Sequence, residues 1–382
     1  MSASRLYLDH NASAPLRPAA RDAMLAALDH TGNPSSGHAE GRAVRSIVEG
    51  ARRQVAALAG AEPANVIFTA SATEAANLVL TPGMKTGGRS AARLLVGATE
   101  HPCVLRGHRF EALEPIPVGH DGVIDLAALS AAIHAAPGPV MLALQAANNE
   151  SGVLQPVRAA AAIVHAAGGL VICDAVQAAG RVPATLADLG ADALILSSHK
   201  LGGPKGAGAL VFADTAAHID PPLIRGGGQE RGLRSGTEDV AAIAGFGAAC
   251  AEAAASGNRE AEDCAALRDA FETGLRSRAT DVVILGEDAA RLPSTSCFGV
   301  PGVAASTVLM GLDLAGIAVS SGSACSSGRI GRSPILDVMG VDPHIESVVR
   351  VSFGWNSRPG DENALLEVLE RSLGRIRPVR AA

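Results

Sequence analysis

Lys200 lies in Ser197-Ser198-His199-Lys200-Leu201-Gly202-Gly203-Pro204-Lys205-Gly206, directly after the apolar run Ala193-Leu194-Ile195-Leu196. A buried strand would deliver this lysine into a glycine-rich turn beside a serine and a histidine. An amine held there can bond covalently to an aldehyde cofactor while its neighbours hold a phosphate. Asp174 closes a second apolar run, Gly169-Leu170-Val171-Ile172-Cys173. If both runs are parallel strands, carboxylate and amine emerge at one sheet edge, where open α/β sheets bind their ligands. A carboxylate so placed keeps a pyridinium nitrogen protonated, so that the ring accepts electrons from a carbanion. Gln177, three residues on, shares a side of a helical turn with Asp174 and could donate to the ring's phenolic oxygen. The plainer roles are a turn or cap carboxylate for Asp174 and a solvated loop amine for Lys200.

Other strand ends carry comparable residues. Val66-Ile67-Phe68-Thr69 precedes Ser71-Ala72-Thr73-Glu74, a helix-opening sequence. Its hydroxyls and backbone N–H groups suit an anion at the positive end of a helix, and Ser197 and His199 could add donors. A plain N-cap role for Ser71 or Thr73 is equally consistent with this segment. Residues 94–96 precede Thr99-Glu100-His101-Pro102, and residues 140–144 precede Asn148-Asn149-Glu150. Thr73, His101, Asn149, Asp174 and Lys200 thus follow five successive strands, a shared position that favours one site over five unrelated loops. Aromatic residues are scarce, with one Trp, one Tyr and seven Phe. A flat ring would therefore stack mostly on histidine or aliphatic groups, and His101 is the candidate.

The elements that must position these groups read as follows. Apolar residues Val44, Ile47, Val48, Val55 and Leu58 recur at helical spacing within residues 42–58. Strand-helix alternation then predicts an α/β fold with a mostly parallel sheet covered by helices on both faces. Alternation weakens after Gly232. Residues 240–255 and 260–275 read as helices. A second α/β segment follows at 282–285, 295–299, 303–314, 317–320 and 347–353, with a last helix near 362–373. A boundary near Ser256-Gly257-Asn258 gives a large domain over residues 16–256. The smaller domain is then residues 1–15 and 257–382.

Composition removes several classes. Net charge is −6 and no long basic run occurs, which argues against a nucleic-acid surface. The apolar stretch at 240–251 is too short and alanine-rich to span a bilayer and reads as a buried helix. The six cysteines form no CxxC and no zinc-ribbon spacing, so no metal site is expected. No basic-then-apolar leader opens the chain, and reduced thiols in a cytoplasmic protein are the expectation.

Taken together, the motifs resemble those of the cysteine desulfurases, within the class V aminotransferase group of fold-type I pyridoxal-phosphate enzymes. The resemblance runs through Tyr7–Pro15, Gly32–His38, Ala72–Asn77, Thr99–His101, Asn148–Glu150, Asp174–Gln177, Ser197–Gly206 and Arg234–Thr237. It implies that Lys200 holds pyridoxal 5'-phosphate through an imine. His101 would stack on the ring, Asp174 pair its nitrogen and Gln177 contact its phenolic oxygen. Ala72, Thr73, Ser197 and His199 would bind the phosphate. Asn149, Arg350 and Asn33 would bind substrate, with the arginine fork suited to a carboxylate. Thr237 would reach the neighbouring subunit's phosphate, which implies a homodimer with shared sites. The chain departs from the commoner wording at Ala14, Ser151 and Trp355-Asn356, positions that bear on substrate choice.

Cys325 decides among reactions. It lies in Ser320-Ser321-Gly322-Ser323-Ala324-Cys325-Ser326-Ser327-Gly328, a segment too polar for a core strand. An incidental small residue in a turn is the plain reading. The segment resembles the desulfurase nucleophile motif of the long-loop branch. That implies conversion of L-cysteine to L-alanine with sulfur left on Cys325 as a persulfide, for iron–sulfur scaffold proteins or other acceptors. The thiol needs a lowered pKa or a nearby base, and His10 and His101 are candidates, with His101 favoured. The rivals are a selenocysteine lyase, a class V transaminase and a non-enzymatic sulfur-relay scaffold. The scaffold would have lost the lysine or the aspartate, and both are present.

Overall fold

The computed structural model describes residues 5–322 and 332–376. Its centre is a seven-stranded sheet. The strands lie side by side in the order Val66–Thr69, Gly208–Phe212, Ala193–Ser197, Leu170–Asp174, Val140–Gln145, Arg93–Gly97 and Leu113–Ile116. Only Gly208–Phe212 runs against its neighbours. The others run one way, as the strand-helix alternation predicts. The central strands are apolar up to their last residue because helices cover both faces, which separates two buried clusters on opposite sides of the sheet. Ala39–Ala59 is one of these helices. It starts on His38, whose Nδ1 accepts from Gly41 N, and stops at left-handed Gly60.

A four-stranded antiparallel sheet forms in the C-terminal part, in the order Val283–Ile284, Thr295–Gly299, Val349–Ser352 and Ser320–Ser321. Helices Asn258–Arg278 and Asp361–Ile376 pack together beside it, and Phe271, Phe298 and Phe353 fill the core between. The single strand expected over 317–320 is two. Ile317–Ala318 pairs in parallel with Leu6–Tyr7, whereas Ser320–Ser321 pairs with Val349–Ser352. Strand Leu6–Tyr7 is therefore stitched to the C-terminal part, and Leu8 lies in the same core as the three phenylalanines.

Helix Val240–Ser256 is buried along most of its length, as its alanine-rich sequence suggests. Gly257 bends the path by 76° into the next helix, which starts at Asn258 rather than at 260. No single helix among the described residues is long and apolar enough to cross a membrane.

Candidate active site

Asp174 is the last residue of its strand, and that strand pairs in parallel with Ala193–Ser197 with Asp174 opposite Ile195. The two strands therefore end at the same edge. Ser197 leads into a single helical turn, Ser198–Lys200, which carries the lysine off the sheet. Both side chains face a cavity of about 350 Å³. Its walls include Ala72, Thr73, His101, Asn149, Gln177, Ser197, His199 and Arg350. Ten residues expected in one site thus share one cavity.

The N-terminal segment closes it. Lys200 Nζ donates to Asn11 O at 2.5 Å and to Ala12 O at 2.9 Å. Ala14 N donates to His199 O, and Asn11 N to Ser352 Oγ. Helix Ala72–Val79 points its start into the cavity, with Ser71 as N-cap accepting from Glu74 N at 3.1 Å. Gly208 permits this placement: a Cβ there would stand 2.8 Å from Ala72 N.

The charges are poised rather than neutralised. Burial pushes the Asp174 carboxyl up to about 6, although Val176 N donates to it at 2.9 Å and Lys200 acts on it through space. Burial and the Lys200 charge pull His101 and His199 down to about 4 each, so both imidazoles are neutral at pH 7. His101 Nδ1 accepts from Cys103 N at 3.1 Å, which leaves Nε2 as its other edge. A conjugate acid at about 4 makes His101 a weak base toward a thiol. His10 is weaker still. It is buried, lines a separate small cavity instead, and is pulled down to about 3 by burial and Arg181.

Arg350 is fully buried. Nη2 meets Asp9 Oδ1 at 2.8 Å, Nη1 donates to Asn149 O at 2.9 Å, and Nε has no hydrogen-bond partner. Asp9 Oδ2 in turn accepts from Ser320 Oγ at 2.7 Å. One residue expected here, Asn33, is not brought to the cavity, and Thr237 is expected at the neighbouring subunit's cavity instead. Asn33 is exposed, and its Oδ1 caps the adjacent turn by accepting from Ser35 N. Thr237 is also exposed, in a loop tied to the cavity's helix by Arg234 and Glu74 at 2.8 Å. Cys325 lies outside the described residues.

Sequence reasoning passed over three groups. Glu100 is a wholly buried carboxyl pushed well up by burial and by Asp174. Gln145 N donates to it at 2.5 Å from the next strand but one in sequence, a contact that no local pattern around Glu100 records. Glu150 is pushed up to about 7 by burial and accepts from Ser333 Oγ at 2.8 Å. A Cβ on Gly322 would lie 2.4 Å from its Oε2, so it sits where the chain on either side of 323–331 comes together. Arg181 stands one turn past Gln177, and that spacing was the available signal. Four other cysteines, Cys173, Cys250, Cys264 and Cys297, are buried with their thiols pushed up, which suppresses the thiolate.

The family model described as aminotransferase class-V matches residues 6–364. A cysteine desulfurase of Cereibacter sphaeroides is 38% identical over 98% of this chain and 97% of its own. The cysteine desulfurase IscS of Dictyoglomus turgidum is 35% identical over 98% and 96%. Among solved structures, the NifS-like protein of Rickettsia africae superposes with a TM-score of 0.87 at 31% identity, covering 97% of this chain and 99% of its own. The chain belongs to the cysteine desulfurase family of class-V aminotransferases.

Proposed function

We propose that this protein is a pyridoxal-phosphate-dependent cysteine desulfurase that converts L-cysteine to L-alanine and takes the sulfur onto Cys325 as a persulfide. One observation carries the reading: Asp174 ends one strand, Lys200 follows the end of its parallel neighbour by a single turn, and both face the same cavity. The lining fits the cofactor. An unneutralised carboxylate, an amine, a neutral imidazole edge and a helix start with two hydroxyl residues all converge on it. Lys200 would hold the cofactor covalently, Asp174 pair its ring nitrogen, His101 cover its face and Gln177 meet its phenolic oxygen. Ala72, Thr73, Ser197 and His199 would receive the phosphate. When bound, pyridoxal phosphate supplies an electron sink for the charge left at the substrate Cα.

The chain's own residues do the rest. Arg350 and Asn149 bind the substrate carboxylate, and the unpartnered Arg350 Nε supports this assignment. Lys200, once displaced by the substrate amine, takes the Cα proton. The Cys325 thiolate attacks the substrate sulfur, an S–S bond forms as the Cβ–S bond breaks, the electron pair of that bond goes to Cβ, which takes up a proton, and alanine leaves. Thr237, exposed on its loop, would serve the partner's phosphate in a homodimer. Residues 1–15 would move with 257–382 as the smaller domain, a grouping supported by the pairing of Leu6–Tyr7 with Ile317–Ala318. An iron–sulfur scaffold protein in the cytoplasm is the acceptor the reading favours.

The test exposes the cofactor-loaded protein to L-cysteine and looks by peptide mass spectrometry for one extra sulfur on the peptide bearing Cys325. Borohydride reduction should fix the cofactor on Lys200. C325A should keep the cofactor absorbance and lose sulfide release. Undiminished release by C325A, or a label elsewhere than Lys200, overturns the assignment. Selenide release from selenocysteine with none from L-cysteine would favour the lyase.

A further inference from the structure

Arg181 is a cation without an anion. Its Nη1 donates to Asn11 Oδ1 at 2.6 Å and to Gln177 Oε1 at 2.9 Å. Its Nη2 donates to Lys200 O at 3.1 Å and reaches His10 O at 3.5 Å. Every acceptor is a neutral oxygen. Among the described residues no carboxylate pairs with it, whereas Arg17, Arg52, Arg234, Arg291 and Arg350 each meet one. The side chain keeps some open surface, yet its surroundings are dense enough that burial lowers its pKa to about 10, and Arg350 and Arg17 push the same way. Holding an unpaired cation in such a place costs free energy. What it does to its neighbours accounts for its presence.

A guanidinium offers donors only. An amide that faces it must therefore turn its carbonyl inward and its NH2 away. Gln177 and Asn11 both do so. Gln177 Nε2 spends one N–H on Asn11 O at 3.1 Å, which leaves the second for the cavity that Gln177 lines. Asn11 Nδ2 donates to Thr295 Oγ1 at 3.0 Å and toward Asn149 O at 3.4 Å, the same oxygen that receives Arg350 Nη1. Asn11 O and Asn149 O favour the same orientation from the other end of each amide, and Arg181 opposes the flipped one because a flip would turn an NH2 onto its donors. A flipped Gln177 would present a carbonyl oxygen to the cavity.

We infer that Arg181 is a positioning residue that fixes the amide polarity of Gln177 and Asn11. The cofactor's phenolic oxygen then meets an N–H donor, and the Asn149–Arg350 pair is braced from behind. The cofactor half of this inference rests on the reading of the cavity as a pyridoxal-phosphate site.

The decisive variant is Q177E. It gives Arg181 a carboxylate and removes the N–H donor, so stability and cofactor binding should move in opposite directions. In the cofactor-free protein at pH 8 the thermal midpoint should rise, by a few degrees. Affinity for pyridoxal phosphate, followed by fluorescence titration, should fall about tenfold or more. R181K keeps a donor-only cation and should stay within about threefold of wild type. R181M should bind about tenfold more weakly, yet add less than about threefold when Q177A is already present, because the two residues act as one unit. The inference is overturned if Q177E lowers the midpoint, if it leaves cofactor affinity unchanged, or if the effects of R181M and Q177A simply multiply. If the wild-type protein takes up no pyridoxal phosphate, the proposed function fails. The midpoint of Q177E would still report on Arg181.

Discussion

Asp174 and Asp192 stand at opposite ends of the same sheet. Asp192 directly precedes strand Ala193–Ser197, and each of its oxygens is held. Oδ1 meets Arg89 Nη2 at 2.5 Å, and Oδ2 meets His165 Nε2 and Val171 N, both at 2.8 Å. Asp174 closes the neighbouring strand and has one backbone N–H. No lysine, arginine or histidine among the described residues lies at ion-pair distance from it, and burial pushes its pKa to about 6. Arg181 is the same situation with the sign reversed. One edge of the sheet spends its charges on each other and gains stability. The other holds Asp174 and Arg181 outside any ion pair among the described residues and gives up stability to do so.

The contrast can be broken from its functional side first. Lys200→Ala should have the largest effect, a loss of about 10³-fold or more in sulfide release from L-cysteine, measured with excess pyridoxal phosphate. Survival of most activity would place the chemistry elsewhere. Asp174→Asn should come next, with about 10²-fold lost in turnover and a gain in the stability of the cofactor-free fold. The sign follows from the raised pKa. Ionising Asp174 is harder in the folded chain than in the unfolded one, so stability is fully present below about pH 4 and is lost as pH rises through about 6. Denaturant unfolding should therefore show D174N more stable by about 1–3 kcal/mol at pH 8 and equal to wild type near pH 3.5. A D174N protein less stable at pH 8 would mean that the carboxylate is paired after all.

Asp192→Ala is the mirror experiment. It strands Arg89, His165 and Val171 N together and should cost about 2–4 kcal/mol, read in the same denaturant titration. The turnover number of the protein that remains folded should change less than about twofold. A large loss of turnover would show that the two edges are coupled.

The open edge was legible because strand ends announce themselves. Leu170–Asp174 and Ala193–Ser197 are unbroken apolar runs followed by polar residues, and their parallel pairing puts those residues together whatever the rest of the fold does. What closes the edge was not legible. Lys200 is held by Asn11 and Ala12, some 189 and 188 positions away, and Arg181 by Asn11, 170 away. No local periodicity records such contacts. Strand Leu113–Ile116 escaped notice because it is an outer strand carrying Glu114 and Pro115, and Gly208–Phe212 because it returns antiparallel within an otherwise parallel pattern. Asn33 went the other way. Its motif marks a turn that the residue itself caps, and it is not among the cavity-lining residues of this chain.

Ser71 gives the smallest and most discriminating effect. The sequence leaves two roles open, helix cap and phosphate ligand, and the structure shows them to be compatible. Its Oγ accepts from Glu74 N, while the hydroxyl proton is still available to an anion in the cavity it lines. Ser71→Ala should therefore cost about 1 kcal/mol in the cofactor-free protein from the lost cap. Pyridoxal-phosphate affinity should fall a further few-fold, about threefold, from one lost hydrogen bond. The first loss should not depend on cofactor concentration, whereas the second should shrink as phosphate is added to compete. If affinity holds and only stability drops, Ser71 is a cap alone. The phosphate would then depend on Thr73, Ser197, His199 and the backbone N–H groups of the helix.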